Sequence, residues 1–180
     1  MNDPNYAMRN RLLDYHIARV LLLITSYNAV HKKPLDGLTK LAKLDFLVRY
    51  PVFLLQLTEK VSPQAVPDHI KPTDAEQVGV ESRMVRYKYG PWDDRYYPIL
   101  GTLIGLGLVK STPGRGRIAL TVSEEGVTIA NSISMQEPWA VMASRCEFVA
   151  ATFDMTGNRL KDLIYSELPV ISGTRYRGAI

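Results

Sequence analysis

Cysteine and histidine are scarce in this sequence, and their scarcity excludes several kinds of site. The only cysteine is Cys146, so the chain cannot form an internal disulfide or a cysteine-rich metal centre. Its position among apolar residues of a predicted helix favours a buried structural thiol over a reactive one. His16, His31 and His69 lie in separate segments without the spacing of metal ligands, so we expect no metal ion and no cofactor.

The sequence also lacks a hydrophobic stretch that would cross a membrane. The apolar run at residues 20–24 is far shorter than the roughly 20 residues that span a bilayer. The N-terminal residues are polar and do not resemble a secretory signal. We therefore expect a soluble, cytoplasmic protein that makes no membrane contact.

Sequence signatures of common catalytic sites are missing as well. The glycine-rich stretch at residues 105–116 lacks the Gly-Lys-Ser/Thr ending of a phosphate-binding loop, and no Gly-x-Ser-x-Gly elbow occurs. Asp93 and Asp94 are adjacent, so on a helix their side chains point about 100° apart. They suit a helix N-terminus better than a catalytic pair. We therefore expect no enzymatic activity.

The chain has an ordinary globular composition with a local excess of positive charge. Of its 180 residues, 46% are hydrophobic and 22% are charged, which is enough for one hydrophobic core. The formal net charge is +4, but residues 83–117 hold seven Lys or Arg against two Asp, a difference of +5. Such a local excess is expected of a surface that faces an anionic partner. A solvated basic face without a partner is the alternative.

Apolar periodicity predicts three helices in the first third of the chain. Residues 11–31 form a long helix that is nearly apolar all round at residues 20–24, which indicates a central, buried position. A second helix follows, capped by Asp36, and a third begins at Pro51, because proline suits the first turn. The inward stripe of the second helix is Leu38, Leu41, Leu44 or Asp45, and Val48, while Lys40, Lys43 and Arg49 point elsewhere.

The middle of the chain has less regular patterns. Residues 61–81 contain one Lys against four Asp or Glu and include three prolines, so residues 61–80 are predicted to be a loop or a flexible flap. Residues 82–89 alternate as a short strand, and Gly-Pro-Trp at residues 90–92 reads as a turn. A helix is expected from Asp93 or Asp94 until Gly105 and Gly107 end it.

Residues 108–121 have the pattern of a β-hairpin. Two short β-prone runs, residues 108–111 and 117–121, flank a Pro-Gly-x-Gly turn with arginines near its tip. A helix is predicted to start at Val122 or Ser123. A helix, a basic-tipped hairpin and another helix follow each other in this order in winged helix-turn-helix domains.

Helical patterns resume at residues 137–155 and 158–168. The predicted fold is α+β and mainly helical, with a winged helix-turn-helix core, a β-hairpin wing and additional flanking helices. We expect residues 1–136 to form a winged-helix-like domain with N-terminal helices. Residues 137–180 are expected to form a C-terminal helical extension packed on it.

Residues 83–103 combine basic side chains with four tyrosines and a tryptophan, and two uses fit this composition. Aromatic residues beside arginine are typical of protein interfaces. Basic residues around a wing are typical of DNA contacts, although Asp93 and Asp94 would repel phosphates and so favour weak, sequence-independent binding. The candidates for partner docking are Arg86, Tyr89, Trp92, Asp93 and Tyr96, and those for DNA binding are Arg83, Lys88, Arg95, Lys110, Arg115 and Arg117. The alternative for Trp92 is a packed corner at the base of the domain.

Several segments together resemble the middle component of bacterial ABC-three-component systems. They are TKLAKLDFLVRYP (residues 39–51), VRYKYGPWDDRYYPILGTLIGLGLV (85–109), the hairpin, and GNRLKDLIYSELP (157–169), in the same order and over most of the chain. The resemblance implies a small, non-catalytic, winged-helix-like protein that works beside an SMC-type ABC ATPase and an effector in defence against phage or plasmid DNA. Lamassu-type systems are similar. It also implies importance for the residues that match the central motif, Arg86, Tyr89, Gly90, Trp92, Asp93 and Tyr96.

The expected function is therefore that of an accessory or kleisin-like adaptor that bridges ATPase and effector and contacts DNA weakly. One alternative is a free-standing winged-helix transcriptional regulator, which would bind a palindromic operator as a homodimer. Another is a protein that neutralises a toxin encoded beside it.

Overall fold

The described part of the chain is mainly helical and contains two small antiparallel sheets. The structure is a computed structural model that describes residues 12–62, 64–78, 84–114 and 118–180. The helices are α1 (Leu13–His31), α2 (Leu38–Arg49), α3 (Pro51–Val61), α4 (Asp74–Val78), α5 (Tyr96–Gly105), α6 (Glu124–Ser134), α7 (Ala140–Thr152), α8 (Gly157–Glu167) and α9 (Pro169–Ser172). The strands are β1 (Leu35–Asp36), β2 (Val85–Tyr87), β3 (Gly90–Trp92), β4 (Val109–Thr112) and β5 (Ala119–Val122). The predicted α+β, mainly helical class is confirmed.

Helix α1 lies in the centre of the core, as its apolar sequence predicts. Val20, Leu23 and Ile24 are fully buried, and the helix packs against α5, α6, α7 and β5. It ends at His31, because Lys32 adopts a left-handed conformation with φ 52° and Pro34 prevents a further turn. Among the described residues, no helix combines the length and the apolar character needed to span a membrane.

From Lys40 to Arg49, helix α2 is buried on all sides. The expectation that Lys40, Lys43 and Arg49 point away from the core is wrong, since these residues are only 8%, 2% and 2% exposed. The reason is that α2 contacts β3 as well as helices α3, α7 and α8, so no face is left for solvent. The predicted cap, Asp36, lies in β1 instead, and Gly37 precedes the first turn.

Strands β1, β4 and β5 form one antiparallel sheet in the order β1–β5–β4. The predicted hairpin is present: Val109 pairs with Val122, and Thr112 with Ala119. Part of its tip, residues 115–117, lies outside the described residues. After β5 the side chain of Ser123 accepts a hydrogen bond from the Gly126 backbone N–H at 3.0 Å and so caps α6.

Strands β2 and β3 form a second hairpin, and here the sequence prediction is wrong. Gly-Pro-Trp is not a turn but strand β3, in which Trp92 pairs with Val85, and the turn falls at Lys88 and Tyr89. The C-terminal residues add a further extended segment to the other edge of β2. The backbone N–H of Arg177 donates to the carbonyl of Arg86 at 2.7 Å. This segment covers an edge that β2 would otherwise expose.

Helices α7 and α8 complete the core. The helix predicted at residues 137–155 begins as a 3-10 turn, Glu137–Trp139, and continues as α7. Cys146 on α7 is fully buried, as expected of a structural thiol, and burial raises the pKa of this thiol above its usual range. Buried side chains from both sides of residue 136 belong to one hydrophobic core.

The acidic segment that precedes β2 is attached to the core by a buried arginine. The guanidinium of Arg145 on α7 donates to Glu76 Oε1 at 2.9 Å and to the carbonyl of Ile70 at 3.2 Å. Thr73 caps the short helix α4, with its Oγ1 accepting from the Glu76 backbone N–H at 3.3 Å. The described part of this segment, residues 64–78, is therefore a loop with short helical turns that is held in place.

Candidate functional site

A buried carboxylate, Asp45 of α2, joins this helix to α1 and α5. Arg19 of α1 donates to both oxygens, from Nε to Oδ1 at 2.7 Å and from NH2 to Oδ2 at 3.0 Å. The hydroxyl of Tyr96 on α5 donates to Oδ2 at 2.6 Å. Burial alone would raise the pKa of Asp45, but the charge and hydrogen bonds of Arg19, together with Arg49, lower it. The carboxylate is therefore paired rather than available for chemistry.

A second carboxylate, Asp93, connects hairpin β2–β3 to the same network. Arg49 NH1 donates to Asp93 Oδ2 at 2.9 Å and lies 3.9 Å from Asp45 Oδ2. The backbone N–H of Arg95 donates to Asp93 Oδ1 at 3.0 Å. Burial would raise the pKa of Asp93, but the hydrogen bonds from Arg95 and the charge of Arg49 lower it far below its usual range. Because Asp93 directly follows Trp92, this network fixes the end of the hairpin.

Three residues proposed from the sequence for partner or DNA contact thus belong to the interior network. Asp93 is 9% exposed and Tyr96 is 1% exposed, so the two side chains hold β3 and α5 in the core rather than line an exposed surface. The guanidinium of Arg95 is directed inward, to Asp93 Oδ2 at 2.5 Å and to His16 Nε2 at 2.6 Å. A phosphate group would have to compete with these contacts.

A groove of about 460 Å³ lies beside this network, and four of its ten lining residues are aromatic. Tyr89 and Tyr97 are 48% and 63% exposed, which is unusual for side chains that carry so much apolar surface. Leu38 and Thr39 of the first turn of α2 also line the groove. Its aromatic lining residues are Tyr87, Tyr89, Trp92 and Tyr97, and we call it the aromatic groove.

Trp92 connects the aromatic groove to the interior. Its ring meets Tyr96 on the buried side at a centroid distance of 5.5 Å and Tyr97 on the exposed side at 5.9 Å, both edge to face. Its Nε1 donates to Asp94 Oδ1 at 3.0 Å. The Trp92 ring is half-buried and also lines the groove. A role for Trp92 in partner docking stays a prediction.

Gly90 allows the hairpin to lie directly on α2. Its φ is +121°, which L side chains rarely adopt, and a Cβ added there would lie 2.8 Å from Lys43 Cε. Lys43 is almost fully buried and donates to the carbonyl of Thr39 at 2.9 Å. Burial, with a smaller contribution from Lys161, lowers the pKa of Lys43 to about 8.

The remaining basic candidates do not form one described patch. Arg86 donates from NH1 to the carbonyl of Thr174 at 2.7 Å and lies over the ring of Tyr165, so it holds the C-terminal segment. Lys88 at the hairpin turn and Lys110 on β4 are exposed. The other DNA-binding candidates, Arg83, Arg115 and Arg117, lie outside the described residues.

Sequence reasoning missed two groups of residues at this site. The first is the buried ion-pair network of Arg19, Asp45 and Arg49. Its one sequence signal is Asp45, a charged residue within the predicted apolar stripe of the second helix. The second is Arg177, whose NH2 lies 3.6 Å from Asp94 Oδ2 at the groove. Nothing in the local sequence indicates that a residue so near the C-terminus returns to this hairpin.

Neither metal chemistry nor similarity identifies the site. Among the residues that the structure describes, no group of three or more His, Cys, Asp or Glu is placed to hold a metal ion. No family model matches the chain, and no significant match is found among curated proteins or solved structures.

Proposed function

We propose that this protein is a non-catalytic adaptor that docks a protein partner in the aromatic groove. The observation that carries the proposal is the exposure of Tyr89 and Tyr97 beside Trp92 in one groove. Exposed tyrosines beside a tryptophan are the composition of interface hot spots. The buried network holds Asp93 and Tyr96, which directly adjoin Trp92 and Tyr97, so this side of the groove is ordered before a partner arrives and the entropic cost of binding is lower.

The order of the elements supports the further proposal of a winged-helix core. Helix α1, strand β1 and helix α2 are followed, after an insertion at residues 51–95, by helix α5 and the hairpin β4–β5. The sheet order β1–β5–β4 places the first strand beside the last. A helix, strand, helix, helix and hairpin in this sequence correspond to the elements of a winged domain.

Helix α5 takes the place of the DNA-reading helix in such a domain, yet its composition favours a protein partner. Its sequence, YYPILGTLIG, contains no charged residue. Tyr97 and Ile104 on this helix are exposed, as is Leu106 just beyond it. DNA recognition by a helix depends on cations and on polar groups that reach phosphates and base edges, which this surface does not supply.

The resemblance to the middle component of ABC-three-component systems suggests which partner docks. We propose an SMC-type ABC ATPase, with an effector as the third member of the complex in antiviral defence. Weak, sequence-independent DNA contact through Lys88, Lys110 and the basic wing is compatible with this role. A free-standing DNA-binding regulator is the second candidate, because the same winged arrangement would suit it.

Co-expression with the neighbouring genes, followed by tagged purification across a salt series, tests the proposal. We expect an SMC-type ATPase to remain bound at high salt, because apolar contacts are not screened. Replacing Tyr89 and Tyr97 together with Ser should release it while thermal unfolding changes little, since both rings are exposed. The matched control is Met135→Ser, which alters another exposed apolar residue.

Two outcomes would contradict the adaptor function. One is retention of the ATPase by the Tyr89→Ser, Tyr97→Ser variant, which would remove the groove from the interface. The other is purification of the chain alone or with nucleic acid that high salt releases, which would favour the DNA-binding regulator.

A further inference from the structure

We propose that the aromatic groove binds an acidic peptide segment of its partner, with an apolar side chain inserted between the rings and carboxylates at the rim. This inference rests on the proposed docking function and adds the chemistry of the segment that docks. It is carried by the charge at the rim of the groove and by the free hydrogen-bond donors on its walls.

The described rim carries more positive than negative charge. Lys88 lies at the tip of the hairpin, with its Nζ 5.5 Å from the centre of the Tyr89 ring. Arg177 lines the groove and is 61% exposed. Arg175 is exposed two residues earlier and is adjacent to Tyr176, whose ring stacks on Tyr87 at 5.9 Å. Two cations, Lys88 and Arg177, therefore lie at a groove that a single carboxylate lines, and the exposed Arg175 is two residues from Arg177 in the sequence.

The carboxylate that lines the groove, Asp94, does not cancel the excess of positive charge at the rim. It accepts a hydrogen bond from Trp92 Nε1 at 3.0 Å and lies 3.6 Å from Arg177 NH2. Both contacts offset its negative charge with groups of the same chain. An incoming cation would meet Asp94 already paired, whereas an incoming carboxylate would meet Lys88, which makes no ion pair with any described residue. Arg175 is exposed and likewise makes no ion pair with a described residue.

The walls supply both apolar surface and donors. The rings of Tyr87, Trp92 and Tyr97 form faces against which an aliphatic or aromatic side chain can pack. Within the described chain, the hydroxyls of Tyr89 and Tyr97 have no hydrogen-bond partner, so both remain available to a carboxylate or a peptide carbonyl. The first turn of α2 adds a small positive potential at the base of the groove.

A peptide fits these observations better than a nucleic acid. Tyr97 and Ile104 are seven positions apart on α5 and so share one face of the helix, on which Ile104 is 38% exposed. A polyanion that left the groove in this direction would meet no described cation on that helix. An acidic segment with spaced apolar residues would place its carboxylates at the rim and its apolar side chains along this face.

Fluorescence anisotropy with the intact chain tests the proposal. Three labelled synthetic peptides share the same Leu and Trp anchors and carry Asp/Glu, Ser/Gln or Lys/Arg at the other positions. We expect the acidic peptide to bind at least about tenfold more tightly than the basic one, with a smaller difference at high salt. The double variant Lys88→Glu, Arg175→Glu should abolish this preference. The charge-matched control Lys32→Glu, Lys71→Glu, which changes two exposed lysines that neither line the groove nor are proposed for DNA contact, should preserve it.

The outcomes separate this inference from the docking function. Equal binding of the three peptides, or no binding, overturns the acidic peptide. The docking function still stands in that case if the Tyr89→Ser, Tyr97→Ser variant loses the ATPase in co-purification. A single-stranded oligonucleotide that displaces the acidic peptide and itself requires Tyr89 and Tyr97 would make the groove a nucleic-acid site and also overturn the proposal.

Discussion

At the scale of single residues, Gly90 and Gly101 show how differently the same residue type is used. Gly90 combines φ +121° with a close approach to Lys43, whose Cε would lie 2.8 Å from an added Cβ. Gly101 lies within helix α5, and an added Cβ there meets nothing within 4 Å. The fold requires glycine at the first position but not at the second.

The two glycines should therefore respond in opposite directions to alanine. We expect Gly90→Ala to lower the free energy of unfolding by about 1–3 kcal/mol, because it forces a strained backbone against Lys43. Gly101→Ala should raise it by about 0.5–1 kcal/mol, because alanine is the better helix former. Urea unfolding followed by circular dichroism measures both, and a loss of stability in both variants would contradict this assignment.

The buried charges mark the limit of sequence reasoning at this scale. Asp45 falls within a predicted apolar stripe, so its burial follows from periodicity. Its partners do not, since Arg19 is 26 positions away and Tyr96 is 51 positions away. Lys43 and Arg49 lie outside the predicted apolar stripe, so the sequence pattern gives no reason for these two residues to be buried. Only the tertiary arrangement supplies that reason.

At the scale of elements, the hairpin β2–β3 depends on a segment that is distant in sequence. Gly-Pro in β3 reads locally as a turn, but proline is tolerated on a strand with one unpaired edge. The outer edge of β2 is covered by the C-terminal segment, in which Gly178 and Ile180 exchange backbone hydrogen bonds with residues 84–86. Local patterns identify the hairpin β4–β5 because both of its strands and its turn lie close together in the sequence. They miss the C-terminal segment that pairs with β2 because it is far from β2 in the sequence.

Removing residues 174–180 should loosen this sheet and leave the helical core folded. The backbone N–H of Arg86 donates to Gly178 at 2.9 Å, so its amide should exchange with solvent much faster in the shortened chain. Amides of α1, which the segment does not bond, should remain protected. Hydrogen exchange measured by NMR tests this, and an Arg86 amide that stays protected would contradict the role of the segment.

At the scale of the whole molecule, paired carboxylates connect elements that are far apart in sequence. Asp45, Glu76 and Asp93 each have a lowered pKa, because arginine contacts outweigh the effect of burial. Asp154 likewise has a lowered pKa through Lys33 and Lys40, despite its partial burial. These contacts tie the acidic loop, the hairpin and α1 to one core, so the stability of the molecule is linked to pH.

Stability should fall in acid. A carboxyl whose pKa is lower in the folded than in the unfolded state contributes stability above the unfolded value, about 4, and loses it as pH falls towards the folded value. We expect the free energy of unfolding, measured in urea at a series of pH values, to decrease steadily below about pH 4. Glu76→Gln should be less stable at neutral pH and should lose less on acidification. An unchanged pH profile in this variant would show that the Arg145–Glu76 pair does not contribute.

The aromatic groove is assembled from parts that are synthesised at very different times. Leu38 and Thr39 come from the first quarter of the chain, the hairpin from its middle, and Arg177 from within its last few residues. A nascent chain on the ribosome cannot display the complete groove until Arg177 has left the exit tunnel. A partner that contacts the whole groove would therefore not bind a shorter translation product that lacks Arg177.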